Sequence, residues 1–192
     1  MNLIMIDPGH GGSAPGAVVE GAVEKDINLS VSLELAQILS SVWDNYIPIL
    51  TRYTDTTLTL RDRCAFERTY NPLCFVSIHC NAATSEQANG FEVFTTVGET
   101  AADKLATKVL DEVKKSFPGL KIRSDVSDGD EDKEANFAVL RGTKSPAILV
   151  ECGFLSNDRE REMLLGHQFH VRIAAAIAYG ITRWNVAREG TA

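Results

Sequence analysis

Three short apolar segments constrain the fold of this chain most strongly, because each of them leads into an ionisable residue. The segments are residues 3–6, 74–78 and 147–150. The groups that follow them are His10, His79 and Glu151. Apolar runs of this length without polar alternation are typical of strands that are buried on both faces of a parallel sheet. The carboxyl ends of parallel strands lie along one sheet edge, where α/β proteins place their sites, so we expect the three groups to meet there.

The remaining segments alternate between strand-like and helix-like patterns. We predict strands over 2–6, 47–50, 73–79, 90–96, 120–123, 136–140 and 146–151, and helices over 24–42, 59–70, 99–116, 158–165 and 167–186. This order predicts an α/β fold, a single-domain three-layer sandwich in which a mostly parallel twisted sheet of about six strands is flanked by helices. Residues 141–145 are too few for a helical crossover, so we expect strand 136–140 to be irregular or antiparallel to the next strand. The domain is predicted over residues 1–187, with a short polar tail over 188–192.

A carboxylate at the start of the first predicted helix is a candidate fourth member of the group. An acid in the first turn of a helix, such as Glu24, is most simply explained by its interaction with the helix dipole. The alternative is that the loop over 11–23 brings Glu24 back to His10. Glu20 is a second candidate, but it lies in a loop bounded by glycine, and we favour Glu24 because it begins the helix.

The chemistry of these candidates points to a metal. Two imidazoles and one carboxylate form a common ligand set for catalytic zinc, in which a water takes the open position. Such a site also needs a carboxylate that does not bind the metal and that carries a proton from the water to the leaving group. We therefore predict one Zn²⁺ per chain on His10, Glu24 and His79, with Glu151 as the catalytic base. The sequence contains no C-x-x-C pair, which argues against a closed structural zinc site.

Several short motifs follow one another in a characteristic order between residue 3 and about residue 165. They are Ile6-Asp7-Pro8-Gly9-His10-Gly11-Gly12, Glu24 at the helix start, Thr51-Arg52, Leu60-Arg61-Asp62-Arg63, Ser77-Ile78-His79-Cys80-Asn81-Ala82, Val139-Leu140-Arg141 and Pro146-Ala147-Ile148-Leu149-Val150-Glu151-Cys152-Gly153-Phe154-Leu155-Ser156-Asn157. Through these motifs the chain resembles the zinc-dependent N-acetylmuramoyl-L-alanine amidases of the third amidase type. That family includes bacterial autolysins, cell-separation amidases and phage endolysins.

The resemblance implies a hydrolase that acts on peptidoglycan. The bond cleaved is the amide between the lactyl group of N-acetylmuramic acid and the L-alanine of the stem peptide, so the enzyme lyses or remodels the cell wall as an endolysin, mother-cell enzyme or autolysin. The resemblance also implies zinc binding by His10, Glu24 and His79 and a catalytic role for Glu151, in agreement with the chemical assignment. Two alternatives are a zinc peptidase or deacylase for soluble peptides or amino sugars, and a non-catalytic wall-binding module.

Two further polar residues are candidates for substrate binding. Asn81 follows His79 by two residues and can orient the substrate or hold the loop. Arg141 precedes the last predicted strand and can contact a carboxylate of the peptide. The simpler interpretation of Arg141 is a scaffold ion pair with one of the many acidic residues. The same interpretation applies to Arg52, Arg61 and Arg63.

The charge and hydropathy of the chain limit its partners. The net charge of −7 over 192 residues makes nucleic acid an improbable partner. No apolar run approaches the ~18 residues of a membrane span, so we expect no membrane insertion. No basic segment followed by an apolar one precedes the first strand, so we expect no secretory signal. Four cysteines are too sparse for a disulfide framework and suit a reducing compartment. We therefore expect a monomer that stays in the cytoplasm until it is released to the cell wall.

Residues 124–134 form an acidic segment. Their spacing is similar in part to the oxygen ligands of a Ca²⁺ loop, but the terminal Glu and the flanking helices of an EF-hand are missing. We therefore expect a solvated loop here rather than a calcium site.

Overall fold

A computed structural model, which describes residues 1–127 and 129–190, places one six-stranded sheet at the centre of the molecule. The strands are β1 (Asn2–Pro8), β2 (Val18–Val19), β3 (Ala22–Val23), β4 (Tyr46–Leu50), β5 (Cys74–Asn81), β6 (Glu92–Thr95), β7 (Lys133–Glu134) and β8 (Ala147–Phe154). The helices are α1 (Glu24–Val42), α2 (Leu60–Tyr70), α3 (Ala101–Ser116), α4 (Ala138–Arg141), α5 (Asp158–Leu165) and α6 (His167–Glu189). The sheet order is β4-β1-β5-β8-β6-β7, and β2 and β3 form a separate hairpin.

Parallel pairing dominates the sheet. β4, β1, β5 and β8 run parallel to one another. β6 pairs antiparallel with β8, and β7 pairs parallel with β6. The predicted α/β fold with a mostly parallel sheet of about six strands is therefore confirmed. The antiparallel neighbour of the last strand is β6, however, and not the segment 136–140.

The helices cover the two faces of the sheet unequally. α1, α3 and α6 pack over a large apolar cluster that includes Ile4 and Val76, whereas α2 and α4 cover a smaller cluster around Met5 and Phe75. Side chains alternate between the two faces along a strand. The polar residues two positions after Met5 and Phe75 therefore face the side that α2 and α4 cover. No helix among the described residues carries an apolar stretch of the length that a bilayer crossing needs.

The predicted strand over 136–140 is wrong, because its residues turn into α4. Val139 and Leu140 are neighbours in sequence and both are buried, at 4% and 2% exposure. A helical turn permits this arrangement, whereas a strand would place the two side chains on opposite faces. Both edges of β8 are already occupied, by β5 and β6.

Two other predicted boundaries also change. The predicted strand over 120–123 is reduced to a single bridge between Ile122 and Phe91. Helix α6 continues to Glu189, so the predicted tail over 188–192 begins within a helix, and its last two residues lie outside the described part of the chain.

The acidic segment 124–134 is not uniformly solvated. Asp128 lies outside the described residues. Asp132 is only 2% exposed, and its Oδ2 accepts a hydrogen bond of 2.7 Å from Thr95. Part of this segment is therefore packed against the end of β6.

Candidate metal centre

The side chains of His10, Glu24 and His79 meet at the carboxyl edge of the sheet. Oε2 of Glu24 lies 3.1 Å from Nε2 of His10, and Oε1 of Glu24 lies 3.0 Å from Nδ1 of His79. One donor atom from each of the three residues lies within 4.8 Å of the other two. Metal–ligand distances of about 2.0 Å place neighbouring donors of a tetrahedral zinc site roughly 3.3 Å apart. Both the donor types and their spacing therefore fit zinc.

A turn with unusual backbone geometry positions His10 after β1. His10 has a φ of 61°, in the left-handed region that few residues other than glycine adopt. Arg52 is 3% exposed and donates to the carbonyl oxygens of Pro8 at 3.0 Å and Gly9 at 2.9 Å. Arg63, equally buried, donates to the carbonyl oxygens of Pro8 at 2.8 Å and of His10. Two buried arginines thus fix the backbone that carries the first candidate ligand.

A buried ion pair anchors the base of the same turn. Asp7 is fully buried and pairs with Arg63. Its carboxylate also accepts hydrogen bonds from the hydroxyls of Thr51 at 2.6 Å and Ser77 at 2.8 Å. The ion pair expected for Arg63 is therefore present, whereas Arg52 bonds to backbone carbonyls instead.

Helix α1 brings Glu24 to the site, and three N–H groups hold its carboxylate. Oε2 accepts from the amide of Ala17 at 2.9 Å. Oε1 accepts from the amide of Cys80 at 3.2 Å and from Nδ2 of Asn28 at 3.2 Å. Asn28 lies one helical turn after Glu24 and also donates to the carbonyl of Gly9, so it ties the helix to the turn. These contacts fix the carboxylate between the two imidazoles.

The alternative carboxylate, that of Glu20, lies outside the cluster of candidate ligands. Glu20 sits in the tip of the β2–β3 hairpin with a φ of 48°. Its side chain is 75% exposed and pairs with Arg161 at 3.0 Å. The hairpin thus turns Glu20 outward and returns the chain to the start of α1.

The electrostatics of Glu24 suit a metal ligand. Burial raises the pKa of its carboxyl, but hydrogen bonds with His10 and His79 outweigh that effect and leave the pKa well below its ordinary range. Glu24 is therefore ionised at neutral pH, and an ionised carboxylate is the form that binds a cation.

Two glycines, which carry no Cβ atom, leave space for the side chains of His79 and Glu24. A Cβ atom added at Gly9 would lie 2.3 Å from Cε1 of His79. A Cβ atom added at Gly16 would lie 2.3 Å from Oε2 of Glu24. The glycine-rich loop is thus needed for close approach as well as for turning the chain.

Glu151 lies beside the cluster on the neighbouring strand. It is in register with His79 of β5 on one side and with Glu92 of β6 on the other. Burial raises the pKa of Glu151 well above its ordinary value, and the charges of Glu24 and Glu92 raise it further. Its Oε2 atom is buried and finds no hydrogen-bond partner among residues 1–127 and 129–190. Such a carboxyl group is suited to exchange a proton with a substrate.

A second buried glutamate, which sequence reasoning missed, adjoins Glu151. Glu92 is 2% exposed, and its Oε1 accepts from Nε of Arg123 at 2.8 Å and from Nζ of Lys133 at 2.7 Å. Burial raises the pKa of Glu92, but these two cations outweigh it and lower the pKa overall. The only sequence signal was an acid inside an apolar strand, and its partners come from segments far along the chain.

The two residues predicted to bind substrate lie in different surroundings. Asn81 ends β5, donates to Oε2 of Glu92 at 2.8 Å and accepts from the amide of Ala82 at 2.9 Å. Arg141 ends α4, and its guanidinium donates to the side chain of Asn136. Asn81 is therefore held by Glu92 at the carboxyl edge of the sheet, whereas Arg141 is held by Asn136, five residues earlier in the chain.

A family model described as Amidase_3, N-acetylmuramoyl-L-alanine amidase, matches residues 4–183. The chain belongs to this family. The resemblance that the motifs indicate is thereby confirmed, and the chain is an enzyme of the amidase class.

Individual members of the amidase family match over nearly the whole chain. The N-acetylmuramoyl-L-alanine amidase CwlM of Bacillus licheniformis is 34% identical over 193 residues, which cover 100% of this chain and 72% of CwlM. The endolysin of Bacillus phage SPP1 is 34% identical over 184 residues, which cover 93% of this chain and 64% of the endolysin. The crystal structure of an N-acetylmuramoyl-L-alanine amidase from Clostridium difficile 630 matches with a TM-score of 0.89 and 30% identity over 97% of each chain.

Proposed function

We propose that this protein is a zinc-dependent peptidoglycan amidase in which Glu151 transfers the proton. The reaction is hydrolysis of the amide between the lactyl group of N-acetylmuramic acid and the L-alanine of the stem peptide. The observation that carries the proposal is the meeting of two imidazoles and one ionised carboxylate within 4.8 Å of one another, with Glu151 in register with one of the imidazoles, His79. Membership of the amidase family supports the substrate class.

His10, Glu24 and His79 would hold one zinc ion per chain through two ring nitrogens and a carboxylate oxygen. When bound, zinc supplies a Lewis acid that polarises the scissile carbonyl and lowers the pKa of the attacking water to about 7. The protein fixes its own donors beforehand, because Arg52 and Arg63 hold the turn that carries His10.

Glu151 carries the proton between the two halves of the reaction. Its Oε2, which has no hydrogen-bond partner in the described part of the chain, accepts a proton from the attacking water. Its raised pKa lets it keep that proton until the amide bond breaks. The proton then passes to the nitrogen of the departing L-alanine, and Glu151 returns to the carboxylate form. Its register beside His79 keeps this carboxyl next to the metal ligands throughout.

A Glu151→Gln variant separates metal binding from proton transfer. The variant should retain one zinc per chain, because its ligands are untouched, while wall hydrolysis falls by at least about 10²-fold. Glu162→Gln, at an exposed position on α5, is the matched control and should remain active. The assay measures zinc content and new amino-terminal alanine in digested peptidoglycan. New reducing sugar ends should not appear, because they would indicate a glycosidase. Hydrolysis that survives Glu151→Gln, or that persists after a chelator removes zinc, would contradict the proposal.

The two rival functions give different products. A zinc peptidase or deacylase would release amines from soluble peptides or amino sugars and leave purified walls intact. A wall-binding module would sediment with walls whether or not zinc is present and would release nothing. The intact set of ligands together with Glu151 argues against the wall-binding module, and membership of the amidase family favours the amidase over the peptidase or deacylase.

We also propose the organisation of the enzyme around this site. Residues 1–187 form the catalytic unit, supported by the family match over 4–183. Contact of Asn81 and Arg141 with the substrate remains a prediction. The four cysteines are unpaired and buried, which supports storage in the reducing cytoplasm before release to the wall. Cell fractionation tests that location, and sedimentation of the purified protein tests the expected monomer.

A further inference from the structure

The polar residues at the carboxyl edge of the sheet form one continuous row. Register places His79 of β5 opposite Glu151 of β8, and Glu151 opposite Glu92 of β6. Arg123 and Lys133 extend the row beyond β6, and both are bonded to the same oxygen of Glu92. A candidate metal ligand, the proposed proton carrier, a buried acid and two cations therefore follow one another along this edge.

Each of the two cations is held from two sides. Arg123 is bonded to Glu92, and its guanidinium carbon lies 5.1 Å from the ring centroid of Phe154. Lys133 is bonded to Glu92, and its ammonium lies 5.5 Å from the ring centroid of Phe94. A cation fixed between a carboxylate and an aromatic face loses little side-chain entropy when it binds a ligand.

Both cations keep donors for a further partner. Their side chains are 33% and 28% exposed, against 3% for Glu92. Arg123 contacts Glu92 through Nε, and no acceptor for its two terminal nitrogens is found among the described residues. Those two nitrogens have the fork geometry that matches a carboxylate. Asp125, whose charge also acts on Lys133, is exposed and bound to the amide of Ser127.

The neighbouring acids do not saturate the cations. Glu92 balances one of the two positive charges. Glu160 also acts on Arg123, but its carboxylate is held by the backbone amides of Gly90 at 2.8 Å and Phe154 at 2.7 Å. Arg123 and Lys133 thus present two partly exposed cationic groups beside the proposed reaction centre.

We propose that Arg123 and Lys133 form a subsite for a carboxylate of the stem peptide, on the amine side of the scissile bond. The proposal rests on the amidase function proposed above. Adjacent strands lie about 4.8 Å apart and both cationic groups are hydrogen-bonded to Glu92, so these groups are roughly 7–8 Å from Glu151. An extended peptide advances about 3.4 Å per residue, so the second residue of the stem reaches the subsite. The enzyme thereby selects stems that carry a free carboxylate at that position.

The test compares two soluble N-acetylmuramoyl peptides that differ in one group of the second residue, a carboxylate in one and a carboxamide in the other. The zinc-loaded enzyme should cleave the carboxylate form with a kcat/KM about five- to tenfold higher, as expected for a charged hydrogen bond at a partly exposed site. Arg123→Gln should reduce this ratio to near one. Lys121→Gln, at an exposed position in the same segment, is the matched control and should keep the ratio.

The outcomes separate the subsite from the amidase function. Equal cleavage of both peptides by the unmodified enzyme, or a ratio that survives in Arg123→Gln, overturns the subsite and leaves the amidase standing. Cleavage of neither peptide overturns both proposals. Arg123→Lys keeps a cation on Glu92 but loses the fork, so it should fold and show an intermediate ratio. An Arg123→Lys ratio equal to that of the unmodified enzyme would also overturn the role of the guanidinium.

Discussion

Removing the charge of Arg63 tests how the turn that carries His10 is held. Arg63 and Asp7 are 3% and 0% exposed and form an ion pair, and Arg63 also donates to the carbonyls of Pro8 and His10. An Arg63→Met substitution keeps much of the apolar stem of the side chain. It leaves Asp7 charged and buried, and it frees the carbonyl of His10 from this donor.

The magnitude follows from the partners that remain. Removing one member of a buried ion pair costs about 3–5 kcal/mol. Asp7 keeps the hydroxyls of Thr51 and Ser77, so we expect the lower end, about 3 kcal/mol. Adding Asp7→Asn to Arg63→Met removes the unpaired charge and should restore about 1–2 kcal/mol. Arg61→Met, at an exposed position of the same helix, should stay within about 0.5 kcal/mol.

Urea unfolding in the presence of a chelator measures these free energies without a contribution from bound metal. A zinc titration of the folded variants should show weaker binding in Arg63→Met, because the turn that carries His10 has lost an anchor. The reasoning is refuted if Arg63→Met loses less than about 1 kcal/mol, or if Asp7→Asn restores nothing in that background.

Two further substitutions probe the packing of the site and the buried acid Asp132, which precedes Lys133 in the chain. Gly9→Ala should lower zinc affinity roughly 10- to 100-fold in an equilibrium titration, because its Cβ would lie 2.3 Å from the ring of His79. The control Gly119→Ala, where the added Cβ meets open space, should bind zinc as the unmodified protein does. Equal zinc affinity in the two variants would count against a packing role for Gly9. Burial, with the charge of Asp130, raises the pKa of Asp132 from 3.8 to about 7, so between those values only the folded state keeps the proton and stability falls as the pH rises. Asp132→Asn should therefore be more stable than the unmodified protein by roughly 1–3 kcal/mol at pH 8 but not at pH 4, and thermal unfolding at the two pH values that shows no such difference would argue against the raised pKa.

The sequence by itself determined the strands that carry the site and the edge at which they end. An apolar run followed by a polar residue specifies a buried strand and its exposed end together, because burial and solvation are local properties of each residue. His10, His79 and Glu151 were therefore predictable as neighbours from their positions after three such runs. The zinc assignment followed from residue type alone, and it remains a prediction until the metal is measured.

Only the tertiary structure decided which acid joins the imidazoles and what surrounds Glu151. Glu20 and Glu24 are both plausible by sequence, and the β2–β3 hairpin turns the first outward and the second inward. Glu92 gains its cations from residues 31 and 41 positions further along the chain. Such pairings depend on how distant segments pack, and no local pattern encodes them, because an isolated strand fixes only which side chains share a face.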